Sequence, residues 1–199
     1  MGTITKVALI ALLWITAVNP GAIYGDSLIR LNMAHAWWTG TEEISVPPNY
    51  KPKSRLSPVG VLGVGGKRYI PYEVGQSILM LPGDWLGTQL HQVFPQIELS
   101  FLRRLVVSFL IFLPLNVAVV VSCFWLLRVF DFEERLAGIA SITWLLSTTV
   151  FNYAQVPSQN NQVLLFVTLG YAAALACVRR GRLHLALFSG LASGGDKRP

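Results

Sequence analysis

Every residue between Arg104 and Arg128 is uncharged, and nothing else in the chain restricts its fold as strongly. A run of that length has the ~20 apolar residues that a helix needs to cross a bilayer, and Pro114 inside it is tolerable in a helix packed against others. Three further apolar stretches, residues 3–23, 136–151 and 163–178, join it. With 53% hydrophobic and 13% charged residues over 199 positions, the chain is too apolar for an ordinary soluble domain. The expected fold is an all-α integral membrane protein, a multi-span helical bundle with a large external loop that carries amphipathic surface helices. The expected divisions are a first transmembrane span at 1–23, the external loop domain at 24–101 and a transmembrane bundle at 102–199. A fifth apolar stretch opens at Leu183 and meets the polar end of the chain after about ten residues, short of the ~20 required, so the chain is expected to be truncated inside an unfinished span.

Orientation follows from the short loops, where basic residues mark the cytoplasmic side. Lys6, Arg128, Arg135, Arg179, Arg180 and Arg182 fall on one side if four spans alternate, and residues 154–162 on the other side are uncharged. The N-terminus is therefore expected in the cytoplasm of an inner or plasma membrane, with the long loop outside. The core at residues 7–18 also has signal-peptide length, with Asn19 to Ala22 as a conceivable cleavage region, but residues 3–23 are long enough to be read as an uncleaved span. The net charge of +6 suits anionic lipid headgroups at least as well as nucleic acid, and no nucleic-acid motif is present.

The loop places one carboxylate, Asp26, where the chain should leave the membrane. Behind it Leu28, Leu31, Ala34 or His35, and Trp38 recur at helical spacing, which predicts an amphipathic surface helix with Trp37 and Trp38 at headgroup depth. Residues 72–94 predict a second surface helix, broken at Pro82-Gly83 and packed beside the first. Asp26 has two readings: a base that takes the proton from an acceptor hydroxyl or amine, or a helix N-cap paired with Arg30 four residues on. Lys51, Lys53, Arg55, Lys67 and Arg68 either hold the phosphate of a polyprenyl donor or lie on anionic headgroups, and Arg103 and Arg104 share those two readings. His35 and His91 lack a second ligand at metal spacing and read as partly buried polar residues. Cys123 and Cys177 sit in apolar runs without metal or redox spacing and read as small buried residues. Ser158-Gln-Asn-Asn-Gln162 either lines a polar sugar cavity or caps a helix. The glycines between Gly60 and Gly66 lack the strand-and-helix context of a nucleotide loop.

The order of parts, one outward span, an acid soon after it, a surface helix and then many spans, resembles the GT-C superfamily of membrane glycosyltransferases. Within it the chain is similar to the branch of protein O-mannosyltransferases, aminoarabinose transferases and RgtA/B/C/D-like bacterial proteins. The resemblance rests on Gly25-Asp26 with Arg30 and Ala34, on Gly66-Lys-Arg-Tyr-Ile-Pro-Tyr-Glu-Val-Gly-Gln-Ser-Ile-Leu-Met-Leu-Pro82, and on residues 153–165. It implies transfer of a hexose or pentose from a polyprenyl-phosphate sugar on the outer face, with Asp26 in the place of the first-loop catalytic acid. It also implies that Arg30 and Tyr72 join the basic set in substrate binding. Ser27 stands where many such proteins carry a second acid. No cofactor beyond the lipid-linked sugar is expected, and no metal ligand set is assigned, although a divalent cation stays open. The implied chain is an N-terminal part of such an enzyme. Two other classes stay open: a non-catalytic membrane scaffold or inactive fragment, and a transporter fragment, against which the near absence of ionisable groups in the spans argues.

Overall fold

A computed structural model describes residues 2–41, 61–62, 68–70 and 73–181. The described residues are almost wholly helical: α1 (Thr3–Val18), α2 (Gly25–Thr39), a two-residue antiparallel pairing of β1 (Val61–Leu62) with β2 (Arg68–Tyr69), α3 (Gly75–Val93), α4 (Leu99–Val106), a π-helical segment (Val107–Phe112), α5 (Leu113–Val129), α6 (Glu134–Ser147), α7 (Thr149–Ala154) and α8 (Gln159–Arg180). From Leu99 to Val129 the helix is continuous over 31 residues. The π-helical segment ends where Pro114 enters. Proline has no N–H to return to the carbonyl of Leu110 and its ring crowds that carbonyl, so the backbone widens ahead of it. Two helices, Leu99–Val129 and Gln159–Arg179, are long and apolar enough to cross a membrane. Among the described residues only those two of the four expected spans have the length and composition to cross a membrane, since α1 has 16 residues and α6 has 14. The single third span expected at 136–151 is interrupted at Thr148, whose extended backbone separates α6 from α7. Its hydroxyl ends one helix and starts the next, donating to Trp144 O at 2.7 Å and accepting from Val150 N at 3.3 Å. The stretch from Leu183 lies outside the described residues.

The molecule divides into two compact units, one taking in residues up to Pro20 and from Phe112 onward, the other running from Gly21 to Ile111. In the first, α5 lies against α1, α6 and α8, and α1 also meets α6. α1 turns Val7, Ala11 and Ile15 inward at four-residue spacing, while Leu9, Leu13 and Trp14 on its other faces are exposed. α8 likewise leaves Val163, Phe166, Val167, Tyr171 and Val178 uncovered. Its start is capped by Ser158, which accepts from Asn160 N at 3.3 Å. A buried carboxamide pair ties three helices here: Asn161 Nδ2 donates to Asn116 Oδ1 at 2.8 Å and to Val150 O at 3.3 Å. Thr3 N donates to Glu134 at 3.3 Å, and Arg179 donates to Val129 O at 3.2 Å and to Asp131 at 3.4 Å. The start of α1, the α5–α6 connection and the end of α8 therefore meet at one end of this unit.

In the second unit α3 packs against both α2 and α4, so the expected packing of the second predicted helix beside the first is present. The expected break at Pro82-Gly83 is not. α3 runs through both residues, and Gly83 serves a different purpose there. A Cβ at Gly83 would stand 2.9 Å from Val107 Cγ2, and one at Gly87 would stand 2.7 Å from the Cα of Arg103. The small-x-x-x-small pair is what lets two helix backbones approach this closely.

Candidate functional site

Along α3 and at its N-cap, Val74, Ile78 and Trp85 point outward and are about half exposed. The buried face is formed by Gln76, Ser77, Met80, Gly83, Asp84 and Gly87, so the helix is joined to its neighbours through polar and small residues. Ser77 Oγ donates to Arg30 O at 3.0 Å and Gln76 Nε2 to Ser27 Oγ at 3.3 Å. About two turns further along, this row reaches a carboxylate.

Asp84 is fully buried, 0% exposed. Its Oδ2 accepts from Trp38 Nε1 and pairs with His35 Nδ1, both at 2.8 Å, and its Oδ1 accepts from Arg103 Nε at 2.5 Å. Arg103, 8% exposed, also donates to Leu31 O at 3.2 Å. The rings of His35 and Trp38 meet edge to face at 5.2 Å. A carboxylate shared by an arginine and two ring N–H groups has most of its lone-pair positions engaged, and it holds α2, α3 and α4 in one register. Because a carboxylate only accepts, the contact places a proton of His35 on Nδ1. The arrangement can position groups and orient a base. Among the described residues there is no group of three or more acids, histidines or cysteines placed to bind a metal ion.

The residues expected to carry chemistry fall differently. Asp26 is exposed in the first turn of α2. It is not the N-cap, since that position is Tyr24, but an acid in the first turn still faces the positive end of the helix dipole. Arg30 is buried and forms an ion pair with Glu73 at 3.4 Å. Arg68 lies in β2. Lys51, Lys53, Arg55, Lys67 and Tyr72 lie outside the described residues. Arg103, read as a contact for headgroup or donor phosphate, instead faces Asp84 inside the unit, and Arg104 bonds back to Ser100 O at 2.9 Å and Ser100 Oγ at 3.0 Å. His91 Nδ1 sits 2.8 Å from Ile97 O. Ser158 acts as the cap, one of its two readings, while Asn161 is buried. Cys123 and Cys177 are free thiols, half-buried.

Sequence reading missed Asp84. The signal was present in the spacing of Gln76, Ser77, Gly83, Asp84 and Gly87, a small and polar stripe on the face opposite Val74, Ile78 and Trp85. In a chain this apolar, such a stripe is the packed side of the helix.

No family model, no curated protein and no solved structure matches this chain.

Proposed function

We propose that the chain is an integral membrane protein that takes part in glycosyl transfer from a polyprenyl-phosphate sugar, with Asp26 as the base. The membrane part is supported by the outward faces of α1 and α8, whose large apolar side chains are left exposed among the described residues. Such surfaces suit lipid. It is supported also by Lys6, Arg128, Arg135 and Arg179, which lie toward the end of the first unit where Thr3 meets Glu134 and Arg179 meets Val129. Basic residues gathered at one end favour the cytoplasmic side for that end.

The observation that carries the transferase reading is that Asp26 is exposed at the start of a helix whose other face is fixed by the Asp84 network. A base must be both reachable and held still. In the step proposed, Asp26 takes the proton of an acceptor hydroxyl or amine as that atom attacks the anomeric carbon. The bond from that carbon to the phosphate oxygen breaks, and the polyprenyl phosphate leaves with the electron pair. Lys51, Lys53, Arg55, Lys67 and Arg68 are the groups proposed to receive that phosphate, and Arg30 and Tyr72 are proposed to join them in substrate binding.

The test is sugar transfer from a radiolabelled polyprenyl-phosphate hexose in membranes containing the full-length protein. Asp26→Asn should lower transfer by about 10²–10⁴-fold, the usual contribution of a general base, with unchanged expression and unfolding midpoint. Full transfer by that variant would end the assignment. A second reading, a non-catalytic scaffold, is favoured by the engagement of Asp84 in holding three helices together, and it predicts that Asp26→Asn has no effect on function.

A further inference from the structure

The first unit contains a groove that the transferase reading does not use. It lies between α1 and α6, has a volume of about 690 Å³, and is lined by Val7, Ile10, Ile139 and Ile142 together with Thr3, Lys6, Arg135, Gly138 and Thr143. That volume is within the about 300–1,000 Å³ of small-ligand sites. The two helices run in the same direction, since Thr3 meets Glu134 at their starts. They meet closely at Gly138, where a Cβ would fall 2.9 Å from Thr3 Cγ2. Beyond that contact they leave an aliphatic trough.

The polar residues are not spread evenly along it. Lys6 and Arg135 stand toward the end where both helices begin, both are exposed, and among the described residues neither forms an ion pair. The neighbouring acid Glu134 accepts from Thr3 N, and Glu133 is the N-cap of α6. Both helix starts add positive partial charge at the same end. A site with cations at one end and isoleucines along its length matches a molecule with an anionic head and an apolar tail.

We propose that this groove binds an anionic glycerophospholipid, its phosphate between Lys6 and Arg135 and one acyl chain along Ile10, Ile139 and Ile142. Arginine offers the phosphate a fork of donors and lysine a mobile point charge. A zwitterionic lipid would set its own cation against these two, and a free phosphate would leave the trough empty. The inference rests on the membrane reading and is independent of the transferase chemistry, so loss of sugar transfer and loss of lipid binding are separate results.

Native mass spectrometry of the full-length protein in mild detergent tests it, with phosphatidylglycerol, phosphatidylcholine and glycerol 3-phosphate as probes. Phosphatidylglycerol should be retained about tenfold or more over phosphatidylcholine. Lys6→Gln and Arg135→Gln should each lower that preference about fivefold, the effect of one surface cation on an anionic lipid, and together they should abolish it. Ile139→Trp, which fills the trough while keeping both cations, should lower phosphatidylglycerol retention, and glycerol 3-phosphate should not compete. Equal retention of the two lipids, an undiminished preference in the double variant, or competition by glycerol 3-phosphate would each overturn the proposal. Should the double variant fail to fold, the exposed single change Lys6→Gln decides in the same way.

Discussion

Removing the carboxylate of Asp84 should unfold the second unit more readily than any other single truncation in it. Asp84 is 0% exposed and the Arg103 side chain is 10% exposed, so Asp84→Ala strands a guanidinium away from water. Breaking a buried ion pair from one side costs about 3–5 kcal/mol, because the remaining charge keeps its desolvation penalty and loses its partner. Trp38 Nε1 and His35 Nδ1 lose their acceptor as well, although His35, whose side chain is 21% exposed, can turn to water. A loss of about 4 kcal/mol is therefore expected, roughly three orders of magnitude in the folding constant. Asp84→Asn keeps one acceptor oxygen and sets an amide N–H₂ against a donor, for a loss of about 1.5–3 kcal/mol. The decisive comparison is Asp84→Ala with Arg103→Met. The double variant leaves no stranded charge and should be more stable than Asp84→Ala alone. Denaturant unfolding of the full-length protein in detergent, followed by tryptophan fluorescence, reads all four: Asp84→Ala, Asp84→Asn, Arg103→Met and the double variant. If Asp84→Ala lay within about 1 kcal/mol of the parent, or if the two single losses simply added, the carboxylate would not be the tie described here.

Gly87→Val should separate α3 from α4, since even its first carbon would stand 2.7 Å from the Cα of Arg103. Backbone cannot yield as a flexible side chain does, so a loss of about 1–3 kcal/mol is expected in the same unfolding assay. Asn161→Ala removes the donor to Asn116 Oδ1 and Val150 O, at about 1–3 kcal/mol. Adding Asn116→Ala should cost less than the sum, because the two carboxamides serve one another.

The helices that survived from sequence to structure are those whose signal is one-dimensional. The uncharged run before Arg128 and the run at 163–178 each lie inside a helix of membrane length, since the absence of charge over a fixed distance needs no knowledge of neighbours. The errors came where a residue answers to something distant in sequence. Pro82-Gly83 carries the local signature of a break, yet Gly83 is there because Val107 and Ile111 press on it, and a helix held by such contacts tolerates a proline. Thr148 looks like one more residue of a span, while its hydroxyl bonds in both directions and divides the helix. Arg103 and Arg104 are adjacent and looked equivalent, but a helix points neighbours about 100° apart. One therefore reaches Asp84 and the other returns to Ser100. Of the expected site, the exposure of Asp26 could be inferred from its place in the first turn. The Asp84 network could be found only by asking which face of α3 was free of bulky apolar residues.

The measurement that bears most directly on the account is the sidedness of engineered cysteines in intact cells, after Cys123 and Cys177 have been replaced by alanine. Tyr24→Cys, 63% exposed at the start of α2, and Phe132→Cys, 45% exposed between α5 and α6, suit this purpose. A membrane-impermeant maleimide should modify position 24 in intact cells and position 132 only after permeabilisation, which would set Asp26 and the basic end of the first unit on opposite sides of a bilayer. Equal labelling of both positions, or recovery of the protein in the soluble fraction, would contradict it.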